Sequence, residues 1–274
     1  MTAGLLLLAC APLQAQAAQP LITLIIDDVG DRPAEGARAA ALPGAVALAV
    51  LPGTPYGANL ARAAHARGKE VLLHFPLEPG HGAKPHPLAV TTRNTRQELA
   101  EKLRTQLDAL PFVSGVNIHQ GSVLSQRRDY MNWMMAELRA RAPLYFVDSY
   151  TSAASVALPV AENWAIPASR RQVFLDNVRT EADIRAQFLR LISLAQKNGS
   201  ALGIGHPYPE TLALLERELP ALSRYQVRLV APSELIRAQQ GLRAPPRNRP
   251  VQLKLSQQIA LATSTRAPPP PNLH

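Results

Sequence analysis

Short apolar runs alternate with longer amphipathic stretches along most of the chain, beginning at Leu21. The short runs are rich in Val, Ile and Leu, which is typical of buried strands, whereas the longer stretches repeat apolar residues at helical spacing. The predicted strands are residues 21–26, 45–51, 70–75, 115–118, 144–147, 173–175, 201–204 and 227–230. The predicted helices are residues 33–42, 56–67, 95–110, 129–141, 181–197 and 210–218.

This alternation predicts an α/β fold with a parallel sheet, because a helix between two strands returns the chain to the same end of the sheet. The number of strand–helix units suits a closed barrel. An open, doubly wound sheet is the alternative. No G-x-G-x-x-G turn follows the first predicted strand, which argues against a dinucleotide-binding version of that alternative.

Polar residues that can bind metal or transfer protons stand at the ends of five predicted strands. In a parallel barrel the carboxyl ends of all strands open onto one face, where active sites lie. Residues that are far apart in the sequence are therefore predicted to share one rim. These residues are Asp27, Asp28, His74, His119, Asp148 and His206.

Each of these residues, taken alone, has a simpler explanation as a turn residue or a core residue. We assign such ordinary roles to His65, His81 and His86, which fall in a predicted helix or loop. Three His and two acidic positions at strand ends are harder to explain in that way. One carboxylate and two neutral imidazoles are typical of an open metal site that supports hydrolysis. A second carboxylate can then act as base and a further His as acid.

The chain resembles the divergent polysaccharide deacetylase family in five successive motifs, over about residues 21–237. Each motif is short, but their order along the chain makes the set specific. The motifs are IIDDVG (25–30), LLHFPLEP (72–79), GVNIHQGS (115–122), FVDS (146–149) and GHP (205–207). The resemblance implies a distorted (β/α)7-type barrel in a single domain.

The resemblance also implies a divalent metal, with Zn²⁺ as the expected ion, held by Asp28, His74 and His119. In the larger polysaccharide deacetylase superfamily both His ligands come from one short motif. His74 has no partner at that spacing, so His119 on the next strand is expected to complete the pair. The rival arrangement uses His206 as the third ligand in place of His119.

For the reaction itself, the resemblance implies that Asp27 is the general base and that His206 is the acid that assists the leaving group. Asp148, Asn117 and Glu78 are expected to orient these groups or to contact substrate. With one cysteine in the chain, a Cys-rich zinc site is excluded, so His and carboxylates must hold the metal.

The resulting prediction is a metal-dependent hydrolase that removes N- or O-acyl groups from an envelope or exported polysaccharide. A non-catalytic glycan-binding or envelope-assembly protein that keeps the metal for structure is the alternative. A cytosolic sugar-phosphate enzyme on a related barrel is a third hypothesis. The predicted export signal and the lack of a phosphate-binding loop argue against this third hypothesis.

Residues 1–18 are predicted to be a signal peptide. A short apolar run begins at Gly4, and Ala15-Gln16-Ala17 matches an A-x-A cleavage site. We therefore expect an exported protein, periplasmic or extracellular. Cys10 follows Leu7-Leu8-Ala9, which resembles a lipoprotein cleavage box, but Leu8 fits that box poorly and lipid anchoring is the less favoured alternative.

Residues 19–240 are predicted to form the barrel domain, and residues 241–274 a disordered tail rich in proline. The tail is basic and has no acidic residue, so part of the net charge of +9 belongs to it. Aromatic residues make up 5% of the chain and do not alternate with basic runs, so we expect no nucleic-acid partner. No further segment has transmembrane length, and we expect no integral membrane segment in the mature chain.

Overall fold

The computed structural model describes residues 19–80, 82–141 and 143–243. The predicted signal peptide and the predicted tail beyond Arg243 lie outside the described residues. The chain divides into two compact units at Gln239 and Gln240. The first unit holds the sheet and its helices, and the described part of the second is the end of one helix.

Strands and helices alternate through the described residues. The strands are β1 (Leu21–Val29), β2 (Ala47–Val50), β3 (Val71–Leu77), β4 (Val113–Gln120), β5 (Tyr145–Asp148), β6 (Ala168–Arg170), β7 (Val173–Phe174), β8 (Ser200–Gly205) and β9 (Arg228–Leu229). The α-helices are α1 (Pro33–Ala41), α2 (Gly57–His65), α3 (Arg96–Ala109), α4 (Arg128–Ala140), α5 (Ala157–Asn163), α6 (Glu181–Asn198), α7 (Pro209–Glu218) and α8 (Pro232–Arg243).

All strands pair in parallel in one curled sheet, in the order β6-β5-β4-β3-β2-β1-β8-β7, with β9 beside the start of β1. The two outermost strands, β6 and β7, are joined by only Arg171 and Gln172. The Arg171 N–H donates to the Asp148 carbonyl and the Gln172 N–H to the Leu202 carbonyl, so these two residues cross between the sheet's edges. The result confirms the predicted distorted barrel, here open between β6 and β7.

The inside of the barrel is a layer of aliphatic side chains that alternate with outward-facing ones along each strand. Ile25, Leu72 and Ile204 belong to this inner layer and are almost fully buried. Leu235 and Ile236 of α8 join the same cluster, so this helix closes the barrel at the end where the strands begin. A larger cluster lies between the outer face of the sheet and the surrounding helices.

Two helices show how local sequence sets their ends. The capping box of Thr95 and Glu98 begins α3, where the Thr95 hydroxyl accepts the Glu98 N–H and the Glu98 carboxylate accepts the Thr95 N–H. Gly199 ends α6 in the left-handed conformation, with φ of 81°. Within the described residues, no helix combines the length and apolar character needed to cross a membrane.

The sequence patterns missed three elements. The seven-residue α5 contains Pro159 and is too short for helical periodicity to show, and β6 is a three-residue strand of sequence ASR. Helix α8 was also missed, and it runs past the boundary predicted at residue 240. These elements are stabilised by packing against the barrel, which a local pattern does not reveal.

Candidate metal and catalytic site

The end of β1 carries two consecutive carboxylates that both reach the same cavity. Neighbouring side chains in a regular strand point to opposite faces. Asp28 breaks this rule because it has a φ of 54°, and the pairing of β1 with β2 is irregular between Ile26 and Val29. This bulge lets buried Asp27 and partly exposed Asp28 face the same space. The unfavourable backbone conformation is thus part of how the site is built.

Asp28, His74 and His119 converge on one point from β1, β3 and β4. Asp28 Oδ1 lies 2.9 Å from His119 Nδ1 and 3.2 Å from His74 Nε2, and the two nitrogens are 3.2 Å apart. Ligands about 2.1 Å from a tetrahedral Zn²⁺ stand roughly 3.4 Å from one another, close to these separations. Asp28 Oδ1 is buried, and no residue in the described part of the chain gives it a well-directed hydrogen bond, so the three residues fit a metal ion.

Asn117 connects His74 to Asp27. His74 Nδ1 lies 2.8 Å from Asn117 Oδ1, and Asn117 Nδ2 donates to Asp27 Oδ1 over 2.7 Å. The amide oxygen can only accept, so the Nδ1 of His74 carries a hydrogen, and Nε2 is the nitrogen that gives up its proton when a metal binds. All three side chains are buried, which holds this chain of hydrogen bonds in one arrangement.

The charges in the site attract a cation. Burial lowers the pKa of His74, but the carboxylates of Asp27 and Asp28 outweigh burial and raise that pKa to about 9. Burial raises the pKa of Asp28, yet the facing imidazoles of His119 and His74 are stronger and hold that pKa well below its usual range. Positive charge is therefore favoured where the three ligand atoms meet.

Asp27 differs from its neighbour in protonation behaviour. Burial raises the pKa of Asp27, and His74 and His206 offset only part of that rise. Its Oδ1 accepts from Asn117, and its Oδ2 lies 3.6 Å from His74 Nε2. A carboxylate with a raised pKa, one oxygen held and the other beside a metal site has the properties of a general base.

On another side of the cavity, His206 follows β8 and pairs with Asp176 rather than with Asp148. His206 Nδ1 lies 2.9 Å from Asp176 Oδ1, and Asp176 Oδ2 accepts the His206 backbone N–H and the Thr211 hydroxyl. Burial lowers the pKa of His206, but Asp176 outweighs it and the net pKa is raised. Its Nε2 lies 3.7 Å from Asp28 Oδ2, so the ring is placed to donate a proton into the cavity.

Two of the residues predicted to orient the site have other contacts. Asp148 is fully buried and accepts from Ser155 and from Arg170 Nε, the latter at 3.1 Å, so it holds the segment after β5. Glu78 accepts the Thr92 backbone N–H and is not among the residues that line the cavity.

Asp176 and His86 are two of the residues near the site that were not predicted, and Tyr150 and Arg171, which line the cavity, are others. Asp176 follows the apolar run 173–175, so it had the same signal as the other strand-end acids. His86, expected to be ordinary, packs its ring edge-on to His119 with centroids 5.9 Å apart. The His86 ring accepts the Leu88 N–H at Nδ1 and lies in a loop with no local pattern that would have marked it.

The cavity around these groups has a volume of about 370 Å³. Ile118, Phe174 and Ile204 form its apolar wall. Besides Asp28, the lining residues Gln120 and Tyr150 have positive φ angles of 56° and 51°. Strained backbone at three positions thus surrounds one cavity. In proteins such strain is found mainly at functional sites.

Comparison with known proteins agrees with this geometry. The divergent polysaccharide deacetylase profile matches residues 24–236. The uncharacterized protein YibQ of Escherichia coli is 35% identical over 230 residues, which cover 83% of this chain and 71% of YibQ. An uncharacterized protein of Haemophilus influenzae is 32% identical over 206 residues, which cover 74% of this chain and 73% of that protein.

A crystal structure of an uncharacterized protein from Agrobacterium tumefaciens has the same fold. It superimposes with a TM-score of 0.76 at 23% identity, covering 82% of this chain and 92% of that one. At this identity the likeness concerns the fold alone. The profile match spans most of the chain and includes every strand-end residue of the cavity, and on that basis the chain belongs to the divergent polysaccharide deacetylase family.

Proposed function

We propose that this protein is a metal-dependent deacetylase that hydrolyses N- or O-acyl groups on an envelope or exported polysaccharide. One observation carries the proposal. Three ligand atoms converge in an open cavity that also holds a buried carboxylate with a raised pKa and a His–Asp pair. These are the parts that hydrolysis of an acyl group requires, and the family to which the chain belongs supports a polysaccharide substrate.

Asp28, His74 and His119 would hold the metal, which we propose to be Zn²⁺ because imidazole and carboxylate ligands suit that ion. A divalent ion bound there supplies Lewis-acid polarisation of an acyl carbonyl and lowers the pKa of water. The side chain of Asp28 is one-third exposed, so the site is accessible from the cavity. Asn117 keeps the Nε2 lone pair of His74 directed at the site through its contact with Nδ1.

Asp27 is the proposed base and takes the proton of the attacking water at Oδ2. Its other oxygen accepts from Asn117 and cannot turn toward the cavity without losing that hydrogen bond. Burial raises the pKa of Asp27, and a raised pKa makes a carboxylate a better proton acceptor. The hydrogen bond from Asn117 therefore sets which oxygen reacts.

His206 is the proposed acid and donates from Nε2 to the departing amine or alcohol. Its Nδ1–H is donated to Asp176, which stabilises the protonated ring. Asp176 in turn accepts the Thr211 hydroxyl and a backbone N–H, so its carboxylate is held in one position. Base and acid thus approach the reacting acyl group from different sides of the metal site.

We further propose that the protein acts outside the cytoplasm, in the periplasm or beyond. The apolar run near the start of the sequence and the Ala15-Gln16-Ala17 site support this proposal. Mass spectrometry of the native protein should find an N-terminus near Ala18. A native chain that keeps the apolar run and stays in the cytoplasm would contradict the proposed location.

The activity is tested by acetate release from metal-loaded protein with N-acetylglucosamine oligomers and with O-acetylated xylan. Asp27→Asn should keep the metal and lower the rate by about 10²- to 10⁴-fold, the usual contribution of a general base. Asp31→Asn is the matched control, since Asp31 is exposed in the following loop. If the parent binds these glycans but releases no more acetate than Asp27→Asn, the protein is a glycan-binding member of the family instead.

A further inference from the structure

A second cavity lies at the end of the barrel opposite the metal site. It has a volume of about 570 Å³ and is formed where β3 to β6 begin, between the end of α4 and the closing helix α8. Leu138, Leu144, Ile166 and Ile236 give it mostly apolar walls. Its size lies within the range of small-molecule sites, which are typically apolar with a few placed polar groups.

One polar group inside this cavity lacks a well-directed hydrogen bond within the described residues. The Tyr145 side chain lines the cavity and is 5% exposed, and its hydroxyl lies beside the Glu70 carboxylate without a well-directed hydrogen bond to any described residue. Burial raises the pKa of Tyr145, and the carboxylate of Glu70 raises it further, so the hydroxyl stays protonated. Glu70 also lines the cavity and accepts from the backbone N–H and hydroxyl of Ser233. A buried hydroxyl whose hydrogen bond is poorly directed is costly, and a ligand hydroxyl placed between Tyr145 and Glu70 would satisfy both groups.

The mouth of the cavity carries positive charge without a counter-charge. Arg139 of α4 and Arg237 of α8 line the cavity and are exposed. Neither makes an ion pair or side-chain hydrogen bond within the described part of the chain, whereas Arg141 near the end of α4 pairs with Asp108. Two arginines at the mouth of an apolar cavity favour a ligand with an anionic end.

Strained backbone beside this cavity is a further indication that the cavity is a binding site. Phe112, next to the lining residue Val113, and Ala165, itself a lining residue, have positive φ angles of 63° and 51°. Such conformations cost about 1–3 kcal/mol each in residues other than glycine and concentrate at binding sites. The other strained non-glycine residues include the three at the metal cavity, so strain marks both cavities.

We propose that this cavity binds an amphiphilic acid with a medium-length apolar body, an anionic group at one end and a hydroxyl at the other. The anionic group is held at the mouth by Arg139 and Arg237. The apolar body lies against the aliphatic walls, and the ligand's hydroxyl donates to Glu70 and accepts from Tyr145. Burial fixes this orientation, because the arginines are exposed and the Tyr145 hydroxyl is enclosed. The site is separate from the metal cavity and does not depend on the proposed activity.

The test is calorimetric titration of the full chain with 10-hydroxydecanoate, decanoate and 1,10-decanediol, each below its aggregation concentration. We expect one saturable site, with 10-hydroxydecanoate bound at least tenfold more tightly than the diol and several-fold more tightly than decanoate. The Arg139→Ala, Arg237→Ala double variant should weaken the two acids at least tenfold and leave the diol unchanged. Tyr145→Phe should remove most of the difference between 10-hydroxydecanoate and decanoate.

Two variants serve as controls. Arg128→Ala removes an arginine from the opposite end of α4, and His74→Ala alters the metal site, so neither should change binding of 10-hydroxydecanoate by more than about twofold. Absence of saturable binding by the parent overturns the proposal. So does binding of decyltrimethylammonium as tightly as decanoate, because that result indicates adsorption to apolar surface without recognition of an anion.

Discussion

The two ends of the barrel are built from the same strands but are occupied by different kinds of residue. At the carboxyl end, five of the nine strands (β1, β3, β4, β5 and β8) carry or lead directly into an acid, an imidazole or an amide, and several of these groups bond to one another. At the amino end seven of the nine strands begin with an apolar or aromatic residue, and α8 packs Leu235 and Ile236 into the same apolar cluster as the inner side chains of the barrel. The candidate metal site therefore lies opposite an end of the barrel that α8 covers by apolar packing.

The carboxyl end of the barrel carries the residues of the proposed reaction, whereas the amino end contributes mainly to the stability of the fold. Residues after the strands can be replaced without disturbing the inner layer, because that layer is made by the strands themselves and by α8. Changes at the candidate metal site should then abolish ion binding and leave the fold intact. Changes in α8 should instead lower the stability of the fold and leave ion binding intact. This is the general division of labour between the two faces of a (β/α) barrel.

The largest effect is expected at the metal ligands. His74→Ala and His119→Ala should each lose most of the single bound ion, because removal of one of three protein ligands leaves too few to hold it. Elemental analysis of protein purified without a metal-affinity tag measures the effect. His86→Ala should keep the full ion, since His86 stands beside the ligand His119 without joining the group.

The same measurement tests the rival ligand. If His206→Ala loses the ion and His119→Ala retains it, His206 is the third ligand and His119 lies outside the coordination group. If both His74→Ala and His119→Ala bind metal as well as the parent, these residues are ordinary polar groups at the rim, and the proposed metal site is wrong.

A loss of stability without loss of metal is expected at the closed end. Leu235→Ala should lower the free energy of unfolding by about 2–5 kcal/mol, because it leaves a void in the inner layer of the barrel. Denaturant unfolding measures this change. Leu194→Ala, on the outer helix α6, should cost less because Leu194 is only partly buried. Equal losses, or loss of the metal in Leu235→Ala at low temperature, would contradict the division between the two ends.

The smallest effect is a shift in pH dependence. Activity that needs protonated His206 is present below the pKa of His206 and is lost as the pH rises through it. Asp176 raises that pKa, so Asp176→Asn should move the alkaline limb of the kcat/KM profile to lower pH by about one unit. Asp148→Asn is the control, since Asp148 is buried and ion-paired but does not touch His206. An unmoved limb in Asp176→Asn would assign Asp176 a purely structural role.

Sequence patterns were sufficient for eight of the nine strands and for most of the polar residues at their carboxyl ends, because a buried strand that ends in a polar residue leaves a local signal. Asp176 follows the apolar residues 173–175 and so shows the same pattern. It was overlooked because the strand before it, β7, has only two residues. The closing role of α8 could not be read from its sequence, because Leu235 and Ile236 resemble any apolar pair in an amphipathic helix. The left-handed backbone conformation of Asp28 could not be predicted either, because it depends on the irregular pairing of β1 and β2.

The position of β1 in the sheet has a consequence for the order of folding. This first strand pairs with β8 and β9, which come about 180 and 207 residues later, as in Leu21 with Ser200 and with Arg228. Contacts so distant in sequence slow folding, since a long loop must close before they form. The proposed metal ligands lie within the first half of the chain, but His206 follows the end of β8. During synthesis the residues that can bind the ion therefore emerge well before the acid that would complete the reaction.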